Sequence, residues 1–200
     1  MPSKNAVKQY DAPAFYHVYN RGAGGQRIFV DSSDKRKCMS LFERHLSAAY
    51  AEKHPESLYE QYDVELTAFC LMGNHFHLLL YQGEDPAAIT ALMKSVSTAY
   101  AMYFNTKYKR QGHLFQSIFR ASRITGEAYL AHITRYIHLN PRTYKTYHWS
   151  SLAYFLGKRP ADWVVPERVV DMTAEQYAKF LEDYESRRDE LVHIKKELEL

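Results

Sequence analysis

Apolar residues in the first part of the chain occur in short runs that have the length of β-strands. Residues 15–20, 62–72 and 75–81 are rich in β-forming side chains and predict three strands. The second and third runs are separated by a Gly-Asn pair, which predicts a β-hairpin. A fourth segment, residues 114–124, is interpreted as extended and partly strand.

Longer segments carry apolar residues three or four positions apart, the spacing typical of amphipathic helices. They predict helices over residues 31–52, 87–105, 127–140 and 151–156, and a final helix from about residue 173. The third of these helices is expected to end at its last position because Pro141 disfavours helical conformation in the residue before it.

The order strand, helix, strand, strand, helix, strand, helix predicts the fold class. It fits an α+β domain with an antiparallel sheet and helices packed on it, as in the split βαβ arrangement. The final helix has apolar residues on heptad a and d positions, interrupted by Arg187: Tyr177, Phe180, Tyr184, Leu191, Ile194 and Leu198. Because this heptad repeat is short and interrupted, we predict that the helix packs on its own domain and does not form a coiled coil.

Composition narrows the setting of the protein. No window approaches the roughly 20 apolar residues of a membrane span, and the opening MPSKNAVKQYDAP lacks the apolar centre of a signal peptide. We therefore expect a cytoplasmic protein that does not enter a membrane. Cys38 and Cys70 are isolated and suggest neither a disulfide nor a zinc site.

The formal net charge of +3 hides an uneven distribution of charge. Residues 107–145 carry eight Lys or Arg against one Asp or Glu, interspersed with Tyr, Phe and His. Such a segment is typical of a surface that tracks phosphates and stacks on bases, although basic faces are often only solvated. The candidate DNA-binding residues are Lys107, Lys109, Arg110, Arg120, Arg123, Arg135 and Arg142.

Two histidines, His75 and His77, stand at the head of the third predicted strand. Side chains alternate faces along a strand, so both point to one side, about 7 Å apart by twice the strand rise. Two imidazoles so placed could converge on a metal ion. Alternatively, one histidine hydrogen-bonds a turn and the other is partly exposed. Because a buried imidazole needs polar partners, we expect a polar group opposite this face.

A metal held by His75 and His77 would bind a phosphate oxygen, and such a site needs a nucleophile. A tyrosine oxygen can attack phosphorus and conserve the bond energy in a phosphotyrosine. Among 17 tyrosines, Tyr136 has the best-supported surroundings, beside Arg135 and one helical turn before Asn140. The amide oxygen of Asn140 could be a third metal ligand. The alternative is that Tyr136 is an ordinary core or surface tyrosine.

Four stretches resemble a known family. GNHFHLLLY at 73–81 is similar to the histidine-hydrophobe-histidine (HUH) motif of the single-tyrosine transposases, and RYIHLNP at 135–141 to the helix that carries their nucleophile. LMKSVSTAYAMYFNTKYKRQGHLFQSIFRASRI at 92–124 and FYHVYNRG at 15–22 resemble the REP-associated tyrosine transposases of bacteria, whose relatives process repeated extragenic palindromes. The resemblance covers about residues 15–141.

The resemblance implies a ferredoxin-like fold, which we assign to residues 1–159. The motifs do not cover residues 160–200, which the apolar pattern predicts to be a helical tail packed on the domain. It implies cleavage and rejoining of single-stranded DNA near hairpins through a 5′-phosphotyrosine, with divalent Mg or Mn. The sequence leaves open whether the protein is a monomer or a homodimer. By position, it implies that the metal ligands are His75, His77 and Asn140, the last in place of a glutamine, and that the nucleophile is Tyr136.

Two other functions fit parts of the pattern. One is a non-catalytic nucleic-acid-binding module whose histidines pack against the core. The other is a metal-dependent phosphoesterase for a small substrate, in which water attacks the phosphorus. A covalent protein–DNA adduct would separate the transposase from both.

Overall fold

Four strands form one antiparallel sheet. The computed structural model describes residues 10–184, without the side chains of Glu127 and Ala128. In this part of the chain the sheet contains β1 (Ala14–Arg21), β2 (Val64–Leu71), β3 (His75–Gln82) and β4 (Arg120–Ile124), in the spatial order β2-β3-β1-β4. The central position of β3 accounts for its continuous apolar run, since both of its faces are covered. The predicted α+β fold with an antiparallel sheet is confirmed.

Helices pack on both faces of the sheet. The α-helices of the described residues are α1 (Ser32–Leu46), α2 (Ala48–Lys53), α3 (Ala88–Lys107), α4 (Glu127–Leu139), α5 (Leu152–Phe155) and α6 (Ala174–Glu182). α4 ends two residues before Pro141, close to its predicted end. Between residues 10 and 184, no helix has the length and apolar character needed to cross a membrane.

The predicted helix over residues 31–52 is in fact two helices, separated at Ser47. The backbone of Ser47 is extended (φ −93°, ψ 119°), and its hydroxyl accepts a hydrogen bond from the Tyr50 N–H at 2.9 Å, which caps α2. The same hydroxyl donates to the carboxylate of Asp162 at 2.7 Å. Serine side chains compete with helical backbone hydrogen bonds in this way, so the helix ends here and a new one begins.

The two faces of the sheet differ in composition. The first, which we call the α1/α3 face, is covered by α1 and α3 and carries apolar side chains that include Tyr16, Val18, Phe76, Leu78 and Leu80. The second, the α4 face, is covered in part by α4 and carries Ala68, Cys70 and Leu79. Strand alternation places His17, His75 and His77 on the α4 face as well.

A β-bulge sets which side chains of β2 meet which helices. The pairing with β3 skips Thr67, because its neighbours on either side pair with consecutive residues, Leu80 and Leu79. From there on, the alternation of faces along β2 is shifted by one position. The shift places Cys70 beside His77 on the α4 face.

Of the predicted extended segment 114–124, only Arg120–Ile124 is a strand. The preceding residues form a loop against the end of β1. The side-chain amide of Asn20 donates to the carbonyl oxygens of Ser117 and Ile118, at 3.0 and 2.7 Å. The side chain of Asn20 therefore provides the hydrogen bonds that these two carbonyl oxygens would receive from a neighbouring strand if the segment were part of the sheet.

Residues 160–184 pack into the same molecule. Trp163 and Val164 belong to the core of the α1/α3 face, and Tyr177 and Leu181 of α6 are buried in the core of the α4 face. The heptad positions outside the described residues are Arg187, Leu191, Ile194 and Leu198. The domain boundary at residue 159 stays a prediction.

Candidate active site

His75 and His77 lie on the α4 face, at the start of β3 and beside β1. Across the sheet, His77 pairs with Tyr19 and His75 pairs with Arg21. The two imidazole rings are 5.1 Å apart between centroids and nearly perpendicular, at 82°. His77 is buried, whereas His75 is partly exposed. Both histidines thus share one face, as their spacing predicts.

The polar partner of His77 is His17 of β1. Its Nε2 lies 2.9 Å from Nδ1 of His77, and its side chain is completely buried. Burial lowers the pKa of His17 to about 3. The sequence pattern predicts a polar group on this face without identifying it. Alternation along β1 places His17, Tyr19 and Arg21 on one side of that strand, and the pairing of β1 with β3 brings this side next to His77.

Hydrogen bonds also orient the ring of His75. Asn74 donates a side-chain N–H to the carbonyl oxygen of Gly25 at 3.4 Å, so its amide oxygen is directed at Nδ1 of His75, at 2.7 Å. That oxygen can only accept, so Nδ1 carries a proton and a neutral ring has its lone pair on Nε2. Nε2 lies 3.3 Å from the side-chain oxygen of Asn140, just after α4.

Two electron-pair donors therefore face each other, Nε2 of His75 and Oδ1 of Asn140. A cation near both would offset the repulsion between their lone pairs, and imidazole nitrogen and amide oxygen are suitable ligands for a divalent metal. Across residues 10–184, no group of three or more His, Cys, Asp or Glu could hold a metal ion. The residues present fit an ion that takes its other ligands from oxygen donors such as water or phosphate.

Tyr136 of α4 lies against the histidines of the central strands. Its ring meets that of His77 edge-on at 5.2 Å, and that of His17 at 6.0 Å, between centroids. Asn140 follows one helical turn later and reaches His75. Tyr136 is only 4% exposed, and its hydroxyl oxygen is buried. The structure therefore brings together all four residues that the motifs single out.

Lys107 and Arg135 are two candidate DNA-binding residues whose charged groups contact other side chains of the fold. Nζ of Lys107 lies 2.8 Å and 2.7 Å from the carboxylates of Asp31 and Asp34. The guanidinium of Arg135 stacks over the ring of Phe180, 3.4 Å from its centroid, and the residue is 6% exposed. In this arrangement both cations contact other side chains of the domain, although Lys107 is still partly open to solvent.

Arg120 and Arg123 of β4 point to opposite faces of the sheet because they are an odd number of positions apart. Arg120 pairs with Tyr19 on the α4 face. Arg123 pairs with Tyr16 on the α1/α3 face and forms an ion pair with Asp11 at 2.7 Å. The basic segment therefore does not present Arg120 and Arg123 on one face of the sheet, and its binding of phosphates stays a prediction.

The margin of the histidine site is nevertheless basic, and it includes a residue that the sequence pattern does not single out. Arg21 is exposed and lies opposite His75. With Arg120 it provides positive charge on the open part of the α4 face. The remaining candidates are the exposed Lys109 and Arg142 and the half-buried Arg110. Contacts between these residues and DNA stay a prediction.

The family model for IS200-like transposases matches residues 33–140, more than half of the chain. The chain belongs to this family. The match includes β2, β3 and α4 of the transposase, and with them His75, His77, Tyr136 and Asn140. His17 lies outside it. The family resemblance carried by the motifs is confirmed.

The transposase is also similar to a solved structure of a REP-associated tyrosine transposase bound to a REP hairpin. The two chains are 13% identical, with a TM-score of 0.53, and the match covers 86% of this chain and 96% of the other. At this level of identity the likeness shows a shared fold. No curated protein gives a significant match to the transposase.

Proposed function

We propose that this transposase cleaves and rejoins single-stranded DNA beside hairpins, through a covalent bond between DNA and Tyr136. The observation that carries the proposal is the contact between the rings of Tyr136 and His77, with Asn140 beside His75. The REP-associated transposase of similar fold is bound to a hairpin, and we infer a hairpin ligand for this chain too.

The reaction begins when the phenolic oxygen of Tyr136 attacks the phosphorus of a phosphodiester. An O–P bond forms and the bond between phosphorus and the 3′ oxygen breaks. The phenol releases its proton, and the departing 3′ oxygen takes one up. The 5′ phosphate stays on Tyr136 as a new phosphodiester, so attack by a 3′-hydroxyl can reverse the step without a nucleoside triphosphate.

The residues proposed to hold Mg or Mn are His75, His77 and Asn140. A divalent ion held there would supply positive charge to a non-bridging phosphate oxygen and would polarise the phosphorus. The protein itself supplies orientation: Asn74 hydrogen-bonds the ring of His75, and His17 hydrogen-bonds that of His77. Groups that are already oriented need little further ordering when DNA binds.

Reaction at Tyr136 requires a local movement. Its hydroxyl oxygen is buried, so the side chain must rotate, or α4 must shift, before that oxygen reaches a phosphorus atom. His75 and Asn140 are both partly exposed and mark the side from which DNA approaches. Arg21 and Arg120 are exposed on the same face and attract phosphates there.

The test is Tyr136→Phe, which removes the hydroxyl and keeps the ring that contacts His77. Protein is incubated with labelled hairpin DNA that carries single-stranded flanks, with Mg or Mn, and is then denatured and examined for label. We expect labelled wild-type protein, an adduct on the peptide that contains Tyr136, and no label on the variant. Tyr129→Phe, two turns earlier on α4, is the matched control and should retain the label.

A second candidate function is a DNA-binding module without catalysis. The buried hydroxyl of Tyr136 favours it, because a covered oxygen cannot reach a phosphate. This function predicts salt-dependent hairpin binding by the wild type and by Tyr136→Phe alike, with no covalent label on either. An adduct that persists in Tyr136→Phe would instead place the nucleophile on another tyrosine.

A further inference from the structure

We propose that His17 is a positioning residue, whose Nε2 accepts a hydrogen bond from Nδ1 of His77 and so leaves Nε2 of His77 as the metal-binding nitrogen. The inference rests on the proposed metal site. It assigns a role to a residue outside the span that the family model matches.

The contact between the two rings has the geometry of an in-plane hydrogen bond. The nitrogen atoms are 2.9 Å apart, whereas the ring centroids are 5.1 Å apart and the rings lie within 12° of parallel. The rings of His17 and His77 therefore meet edge to edge, with the lone pair of one nitrogen directed at the N–H of the other. The neighbouring strands β1 and β3 hold them in this position.

The position of the shared proton decides what His77 can do. If His17 donates, Nδ1 of His77 accepts, and a neutral His77 carries its proton on Nε2, where it blocks metal binding. If His77 donates, its Nε2 carries the lone pair that a metal needs. Nδ1 of His77 is covered by His17 in both arrangements.

Two features of His17 argue for a functional role. The side chain is completely buried, where a polar ring needs hydrogen-bond partners. Its other nitrogen, Nδ1, is buried and has no hydrogen-bond partner among residues 10–184. Such an atom destabilises a protein by roughly 1–3 kcal/mol, so packing alone does not account for a histidine at this position.

This account predicts that metal affinity changes much more than stability. His17→Phe removes the nitrogen that lacks a partner but also takes away the acceptor of His77 Nδ1, so the two effects offset each other and its thermal midpoint should stay close to that of the wild type. Its affinity for Mn²⁺ should fall about tenfold or more, as is typical when a metal ligand is deprived of its hydrogen-bonding partner. His17→Gln places an amide oxygen near the position of Nε2 and should restore most of the affinity.

The experiment measures Mn²⁺ binding to the full chain by electron paramagnetic resonance of the free ion, for the wild type and both variants. His45→Phe is the matched control, because His45 is also buried but lies on α1, which covers the opposite face of the sheet. It should leave the Mn²⁺ affinity unchanged. Nitrogen-15 NMR of the Mg²⁺-loaded wild type should find the proton of His77 on Nδ1.

Three outcomes would overturn the role of His17 and leave cleavage by Tyr136 standing. They are wild-type Mn²⁺ affinity in His17→Phe, a glutamine variant that binds no better than the phenylalanine variant, and a proton on Nε2 of His77 in the Mg²⁺-loaded protein. A wild-type protein that binds no Mn²⁺ would overturn the proposed metal site together with the role of His17.

Discussion

On the α1/α3 side of the sheet, the carboxylate of Asp34 accepts hydrogen bonds from Val30 N–H, Lys107 and Tyr108, whereas on the α4 side a nitrogen of His17 has no partner within the described chain. Both side chains are completely buried. The first cluster is charged and its hydrogen bonds are complete. The second cluster is neutral and lacks one hydrogen bond. Unsatisfied buried polar groups of this kind are typical of binding or catalytic sites, where function takes precedence over stability.

The largest expected effect is on the α4 face. His75→Ala or His77→Ala removes a proposed ligand, and we expect cleavage of hairpin DNA to fall about a thousandfold or more. The reason is that loss of the metal removes several kcal/mol of stabilisation of the charge on the phosphate in the transition state. Each 1.4 kcal/mol corresponds to about a tenfold change in rate. Hairpin binding, measured by gel shift, should change little because other phosphate contacts supply the affinity.

Phe76→Leu is the control for these two variants. Phe76 lies between the histidines in sequence but points to the α1/α3 face, so the substitution should lower stability and spare cleavage. Cleavage at the wild-type rate in the variant that lacks both histidines would rule out a catalytic metal at this pair.

A smaller effect, on stability alone, is expected on the α1/α3 side. Asp34→Ala leaves two backbone N–H groups without their acceptor and takes from Lys107 one of its two carboxylate partners, so the free energy of unfolding should fall by about 3 kcal/mol. Urea denaturation measures this change. Lys107→Met should be less destabilising and should not alter hairpin affinity. A weaker affinity in Lys107→Met would return Lys107 to the DNA surface.

The pH dependence of this effect follows from the pKa of Asp34. Burial raises the pKa of Asp34, but hydrogen bonds from Lys107 and Tyr108 lower it by a larger amount. The pKa of Asp34 in the folded protein is therefore below its ordinary value. Such a carboxyl contributes stability above its unfolded pKa of about 3.9 and loses it as the pH falls through the folded value. The difference between wild type and Asp34→Ala should thus be constant near neutral pH and shrink in acid.

The smallest effect compares two arginines on one strand. Arg120→Gln removes an exposed charge from the α4 face, so the slope of log affinity against log salt should decrease by roughly 0.7, the value of one phosphate on a single strand. Arg123→Gln removes a charge that is paired with Asp11 on the other face, and the slope should stay unchanged. Equal changes in both variants would show that DNA does not distinguish the two faces.

The site residues of the α4 face could be predicted where they lie on one strand or one helix. Spacing along one strand places His75 and His77 on a shared face, and spacing along one helix does the same for Tyr136 and Asn140. The role of His17 could not be predicted in this way. It depends on the pairing of β1 with β3, and the sequence does not state which strands are neighbours.

The same limit explains the other differences. The sequence does not reveal the bulge at Thr67, because β2 is apolar on both faces from Ala68 onward and a shift of one position there changes nothing in its composition. A run of basic residues predicts positive charge, but it does not predict which partners the side chains contact. Lys107 contacts two carboxylates, and Arg135 contacts aromatic rings of α6 and of the residues just after it. Such partners come from segments distant in sequence.

The contact between Tyr136 and His77 within a single chain also bears on how the protein would behave on dilution. When two subunits share a site, the fraction of complete sites falls with concentration, because the subunits separate. Here the separation of the two side chains is set by the fold at any concentration. Each molecule then contains both side chains in contact, even in a cell that has only a few copies of the chain.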